Sequence, residues 1–269
     1  DLFAGGYLKA VHHSGEVARD AFKQLVGLYH ERVGHRVCQA NKVIGRLRRW
    51  GVVVREGAFK DACSRAELLA RLPAQAQAAC VRLGVELLLD GYDQALEQEK
   101  RLRRELVKLA KAREEVVRLT ALPGISWVRA STFVAYLDTP WRFASKSALW
   151  KYLGIGLGRQ KSGGGPELLR VHLGVNRALK SMILGAAESA ILGKDNPFAR
   201  QHCGWIRAGL SPRNARRNVA RSLSAVAWGM WKNGGVYDPT RVGVAASEQA
   251  VLCATREQSA KQSAKQSDR

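Results

Sequence analysis

The chain has 269 residues, with 44 Lys and Arg against 23 Asp and Glu, a formal net charge of +21. At 46% hydrophobic and 25% charged it is too apolar to be wholly disordered and lacks the glycine period of collagen. No apolar run reaches the roughly 18 residues of a membrane span, and no charged start leads into an apolar stretch as in a secretory signal. The five cysteines, Cys38, Cys63, Cys80, Cys203 and Cys253, form no C-x-x-C pair, so neither a disulfide framework nor a zinc site is indicated.

Charge is concentrated in the later part. Residues 1–120 hold 22 basic and 15 acidic groups, and residues 121–243 hold 18 basic and 5 acidic. A field of that sign favours a polyanion, and phosphate neutralisation is the usual source of nucleic-acid affinity. A nucleic acid is the expected partner, ahead of an anionic membrane surface, since no amphipathic helix with exposed large apolar residues stands out, and scattered reduced thiols point to the cytoplasm.

In chain order, residues 16–50 read as one long helix capped by Ser14. Val17, Phe22, Leu25, Leu28, Tyr29, Val33, Val37, Ile44 and Leu47 recur at spacings near three and four. Its second half carries Arg32, Arg36, Lys42, Arg46, Arg48 and Arg49, with Arg55 beyond and no acid between 32 and 55. Arg46 and Arg49 are candidate phosphate contacts. Residues 57–90 read as helical, broken around Pro73 and Gly84. Residues 92–118 read as a second long helix with a seam of Leu102, Leu106, Leu109 and Val116, a short coiled coil whose partner helix the sequence leaves open; it is the expected route to a homo-oligomer.

Leu122-Pro123-Gly124-Ile125 with Ala130 is similar to the turn of a helix-hairpin-helix. There a glycine lets backbone N–H groups approach a phosphate, which makes Gly124 a candidate contact; a plain Pro-Gly turn fits the same residues. Trp141-Arg142-Phe143 precedes a helix over 145–153 with Ser145 as its cap. Residues 154–166, G-I-G-L-G-R-Q-K-S-G-G-G-P, predict irregular structure: they fit neither the dinucleotide fingerprint nor the P-loop. Helices are expected at 167–192 and 197–209. Ser211-Pro212 opens the last one, with Val219, Leu223, Val226 and Met230 inward, Arg213, Arg216, Arg217 and Arg221 elsewhere, and Gly234-Gly235 closing it. The six histidines show no metal-ligand spacing, and the tryptophans Trp141, Trp150, Trp205, Trp228 and Trp231 read as core in preference to base-stacking platforms.

Several stretches together carry a family resemblance: L-P-G-I at 122–125, W-R-F-A-S-K-S-A-L-W-K-Y-L-G-I at 141–155, R-Q-K-S-G-G-G at 159–165, D-N-P-F at 195–198 and M-W-K-N-G-G-V-Y-D at 230–238. In order and spacing they resemble the insertion-sequence transposases of the DEDD type, relatives of the Piv DNA invertase. The resemblance implies a RuvC-like domain with four acidic ligands for Mg2+, then a coiled coil, then a C-terminal transposase domain whose loop serine joins DNA through a phosphoserine. Ser162 matches that serine, with Arg159, Gln160 and Lys161 beside it for the phosphate. Some family members use a structured guide RNA.

The family's last two acids fall upstream of Asp1 by this alignment. The expectation is therefore an N-terminally truncated chain without metal ligands, inactive alone. The alternative is a non-catalytic DNA- or RNA-binding remnant. The expected fold is mainly α: a helical remnant of the RuvC-like region at 1–90, a coiled-coil helix at 91–118, a compact helical transposase domain at 119–243 and a disordered tail at 244–269.

Overall fold

A computed structural model of the chain describes residues 15–54, 59, 61–74, 79–160, 168–171, 175–193 and 195–242. The fold is mainly α-helical, as expected. Nine helices and two short strands are α1 (Val17–Arg48), α2 (Ala62–Ala70), α3 (Ala79–Lys111), α4 (Glu114–Leu119), α5 (Trp127–Leu137), α6 (Lys146–Tyr152), β1 (Leu157–Gln160), β2 (Leu168–Val171), α7 (Arg177–Leu192), α8 (Pro197–Arg207) and α9 (Pro212–Asn233), all among the described residues. None of these helices is long and apolar enough to cross a membrane. The chain divides into two compact units, one of Gln24–Lys108 and one of Asp1–Lys23 with Leu109–Arg269.

In the Gln24–Lys108 unit, α1 and α3 run antiparallel. Arg32 reaches Gln98 at 3.3 Å and Arg36 reaches Glu99 at 2.5 Å, while Val43 and Leu47 share a core with Val85 and Leu89. One inward line of α1 runs through Phe22, Val26, Tyr29, Val33, Arg36, Ala40, Val43 and Leu47, with Leu25 and Ile44 half-buried beside it. Their steps alternate between four and three, which keeps these residues on one face of the helix. The predicted stripe is corrected accordingly: Val17, Leu28 and Val37 are exposed.

In α3 the inward residues are Val85, Leu89, Ala95 and Leu106, while Leu109, assigned to the seam from sequence, is 48% exposed. The helix partner that the sequence left open is, for α3, α1 of the same chain. α3 also passes through Gly84 without a break, because packing of Val85 and Leu89 outweighs the roughly 1 kcal/mol that glycine costs a helix interior. The predicted helix over 92–118 is in fact the end of α3 followed by the separate α4. The break near Pro73 holds: α2 ends at Ala70, and Leu68 and Leu72 close the small core. Arg65 clamps this corner with two hydrogen bonds to Asp93 at 2.6 Å and two to the Phe59 carbonyl.

The other unit is built around α7 and α9. Leu179, Ile183, Ala186, Ala187 and Ala190 on α7 and Ala215, Val219, Ala220, Leu223 and Ala227 on α9 are all fully buried. Small residues on both inward faces let the two backbones approach closely. Phe133, Leu137, Leu149, Leu153, Ile155 and Phe198 complete the core. The start of α1 belongs to this unit: the Arg113 guanidinium lies 4.3 Å from the Phe22 ring centroid and donates to the Ala18 carbonyl.

Most helix starts follow their local signals. Ser126, Ser145, Asn176, Asn196 and Ser211 each accept a backbone N–H in the first turn of α5 to α9, and Gly234 ends α9 in the left-handed conformation. Ser14 lies outside the described residues.

Two expectations fail between 154 and 176. Leu157–Gln160 is a strand, not irregular chain, and it pairs antiparallel with Leu168–Val171, where a helix was expected to begin; α7 starts ten residues later than predicted. Each strand is extended because the other satisfies its N–H and C=O groups, a partner that local composition does not reveal.

Candidate nucleic-acid interface

The base of the β1–β2 pair is locked to three helices. The Trp150 carbonyl accepts from the N–H groups of Ile155 and Gly156, which folds the chain back on α6. Trp150 Nε1 donates to the Arg221 carbonyl at 3.1 Å, and Arg221 Nε donates to the Ile155 carbonyl at 2.8 Å. A Cβ placed on Gly154 would meet the Val175 and Lys180 side chains at 2.8 and 3.1 Å, so the start of α7 packs directly on this turn. From there β1 carries Arg159 and Gln160, paired in register with Leu169 and Leu168. Lys161 and Ser162, in the segment joining β1 to β2, lie outside the described residues.

Arg213, Arg217 and Arg221 are four residues apart, so they share one face of α9 and span about 12 Å at 1.5 Å per residue. Their environments differ. Arg213 is exposed, whereas Arg216, Arg217 and Arg221 are half-buried. Arg221 is tied to Ile155 and, at 2.8 Å, to Asn218 Oδ1, so its role is to hold the β1 base. Arg216 pairs with Glu188 of α7 at 3.3 Å. Burial, with Arg213 and Arg216 adding to it, pushes the Arg217 guanidinium below its ordinary pKa. The first turn of α9 contains no acid, so Arg213 meets the positive end of the helix dipole with no carboxylate to relieve it. The same holds at α7, where Arg177 and Lys180 occupy the first turn and the residue after it, and at α6, which starts on Lys146. Cations gathered at helix N-termini fit an anion.

Gly124 packs against α7. At φ +79 it presses its Cα against α7, where a Cβ would lie 2.2 Å from the Ala186 oxygen and 2.8 Å from the Ala190 nitrogen. Its carbonyl accepts from Arg129 Nη1 at 2.6 Å, and the same nitrogen reaches Ser189 Oγ at 2.9 Å. The glycine is required there for packing. Arg46 and Arg49 are exposed and belong to the Gln24–Lys108 unit; Arg46, with Arg48, sits in the last turn of α1, where cations complement the helix dipole.

Among the described residues, three carboxylates of the basic region are paired. Glu188 pairs with Arg216, Asp195 with Arg200 and Asp238 with Arg241, and Thr240 bonds hold the Asp238 carboxyl below its ordinary pKa. Among the described residues no group of three or more His, Cys, Asp or Glu is placed to hold a metal ion. The described part of this chain therefore does not fit the Mg2+ site that the resemblance implied.

Of the tryptophans read as core, Trp205 and Trp228 are buried and Trp150 and Trp231 half-buried, but Trp141 is 68% exposed. Sequence reasoning missed it because its apolar neighbours Pro140 and Phe143 are buried.

Residues 116–203 match the family described as Transposase IS116/IS110/IS902. The matched segment begins in α4, contains both strands and ends in α8; the arginines of α9 lie beyond it. A search of the curated proteins found no match.

Proposed function

We propose that this chain is a transposase polypeptide of an insertion sequence, in which the α6–β1–β2–α7–α9 face binds DNA and Ser162 is the nucleophile. The observation that carries the reading is the β1 base. The segment that matches a transposase family is anchored there to α9 through Arg221 and Ile155, beside a cationic face formed by Arg213 and Arg217. Arg159, Gln160 and Lys161 would lie along the phosphate next to Ser162, and Arg177 and Lys180 would meet it at the start of α7.

In the strand-exchange step the Ser162 hydroxyl oxygen would form a bond to a DNA phosphorus as the bond to one strand oxygen breaks, leaving a phosphoserine. A serine hydroxyl needs a partner to take its proton. Nothing among the described residues is assigned that role. Following the family resemblance, we assign it to a RuvC-like acidic site that the described residues do not form.

The test is a titration of duplex DNA with the chain at several salt concentrations. Neutralising four or more phosphates gives a log–log salt slope steeper than about −3.5. An affinity that is unchanged between about 50 and 200 mM salt rejects the reading. When the chain is supplied with a RuvC-like acidic domain, Ser162→Ala should abolish the covalent protein–DNA adduct on a denaturing gel and leave binding intact; an adduct that persists means another nucleophile.

A further inference from the structure

Trp141 is the one exposed tryptophan of the seven; all seven are among the described residues. Leaving an indole in water forgoes the roughly 2 kcal/mol or more that burying a large apolar side chain contributes. A single exposed apolar residue is ordinary on any surface. What sets this one apart is how firmly it is held and what stands next to it.

The ring is carried on a 3-10 turn, Pro140–Arg142, that is fixed on both sides. On one side the buried Trp228 donates its Nε1 hydrogen to the Pro140 carbonyl at 2.6 Å. On the other, the Arg142 guanidinium lies 4.5 Å from the Tyr152 ring centroid and donates to the Tyr136 carbonyl, which the Tyr152 hydroxyl also reaches at 3.1 Å. The Lys232 ammonium sits 4.8 Å from the Trp141 ring centroid and 5.0 Å from that of Trp228, and among the described residues it forms no ion pair. The result is an apolar ring on a rigid mount, largely open to solvent, with a cation over one face and the other face left for a base.

This is the composition of a single-strand binding platform: an aromatic face for a base and a fixed cation for the neighbouring phosphate. We propose that Trp141 stacks an unpaired nucleobase while Lys232 meets the phosphate beside it. The inference rests on the nucleic-acid reading above and extends it: the Trp141–Lys232 patch takes single-stranded rather than paired nucleic acid. A base inside a duplex is already stacked and offers no free face to the ring.

The experiment measures anisotropy of a labelled single-stranded DNA, an RNA of the same sequence, and the blunt DNA duplex, with wild type, Trp141→Ala and Trp141→Phe. Trp141→Ala should weaken single-strand binding about tenfold, Trp141→Phe should keep most of it, and duplex affinity should be unchanged. The salt slope should not move in either Trp141 variant, since no charge is removed, whereas Lys232→Ala should reduce it by about 1. The strand type that responds, DNA or RNA, identifies the source of the base. Illumination of a 5-iodouracil oligonucleotide bound to wild type should cross-link Trp141. Unchanged single-strand affinity in Trp141→Ala, or an equal loss on duplex and single strand, overturns the proposal while leaving the proposed function standing. A wild-type chain that binds none of the three probes rejects both.

Discussion

Arg221 Nε donates to the Ile155 carbonyl at 2.8 Å, joining the middle of α9 to the chain two residues before β1. The same arginine, spaced four residues from Arg217 and eight from Arg213, looks from sequence like one more cation on a DNA-binding face. The structure divides the three. Arg221→Ala is expected to cost about 2 kcal/mol of stability, the loss of hydrogen bonds from a charged donor to a buried segment. Arg213→Glu with Arg217→Glu is expected to leave the thermal midpoint within about 3 °C and to weaken DNA binding at least tenfold. Urea unfolding of the single and the double variant, run beside anisotropy titrations, separates the two roles. Equal stability loss in both sets would return Arg213 and Arg217 to structural positions.

Gly124→Ala tests the α4–α5 turn. The residue needs φ +79, and its Cβ would sit 2.2 Å from a backbone oxygen of α7 that has no side-chain freedom to yield. The strain of the left-handed conformation adds to this clash, and a loss of about 3 kcal/mol or more is expected. A phosphate-contact role without a packing role would instead show weaker DNA binding at unchanged stability. Denaturant midpoints and binding constants measured on the same preparation decide between these.

What was legible in the sequence was what is determined locally. α9 could be bounded at both ends because Ser211, Pro212 and Gly234 act on their own turns. The same holds for α6, where Ser145 caps within three residues. What was not legible depends on partners far along the chain. β1 is a strand because Leu168–Val171 returns beside it, and Arg221 is structural because of a carbonyl 66 residues away. The α1 stripe was misread for a subtler reason. Spacings of three and four also link Leu28 and Val37 to the stripe, and apolar character alone does not tell which side of the stripe faces the partner; both are exposed. For the candidate site, the arginines of α9 were found by charge alone, whereas the exposure of Trp141 could not be told from that of its buried neighbour Phe143.

His30 supplies a pH-dependent prediction. Burial lowers its pKa below the ordinary value, and its ring stands edge-on to Tyr29 at 5.5 Å between centroids. The folded state then takes up this proton less readily than the unfolded state. The stability it contributes is present above the unfolded pKa of about 6.5 and is lost as pH falls through it toward the lowered value. Unfolding free energy should therefore decrease between pH 8 and pH 5.5, and His30→Gln should flatten part of that decrease. A wild-type and a variant curve of the same slope would remove His30 from the account.

The last prediction concerns the charged layer inside the α1–α3 pair. Arg36 Nε and Glu99 Oε2 are 2.5 Å apart at positions where the seam otherwise buries apolar side chains, with side chains only 27% and 15% exposed. The hydrogen bond to Glu99 holds the Arg36 guanidinium above its ordinary pKa, against the opposing effect of burial. Tyr29 is pushed up by burial and by the same carboxylate. Such a pair contributes little net energy when intact but much when halved, because the survivor is left charged and desolvated. Glu99→Leu alone is expected to destabilise the chain by about 2 kcal/mol, less than the roughly 3–5 of a fully buried pair because some solvent reaches both groups. Arg36→Met with Glu99→Leu should recover most of that loss or exceed wild type. The double variant should also loosen the register, since Arg36 and Glu99 meet at only one alignment of the antiparallel helices while leucine and methionine tolerate several. A double-mutant cycle in urea gives the energies, and disulfide trapping between cysteines introduced at Gln39 and Gly91, where a Cβ on Gly91 would meet the end of the Gln39 side chain at 3.7 Å, reads the register. A double variant as unstable as Glu99→Leu, or one that traps the disulfide as efficiently as wild type, would show that the pair does not set the alignment.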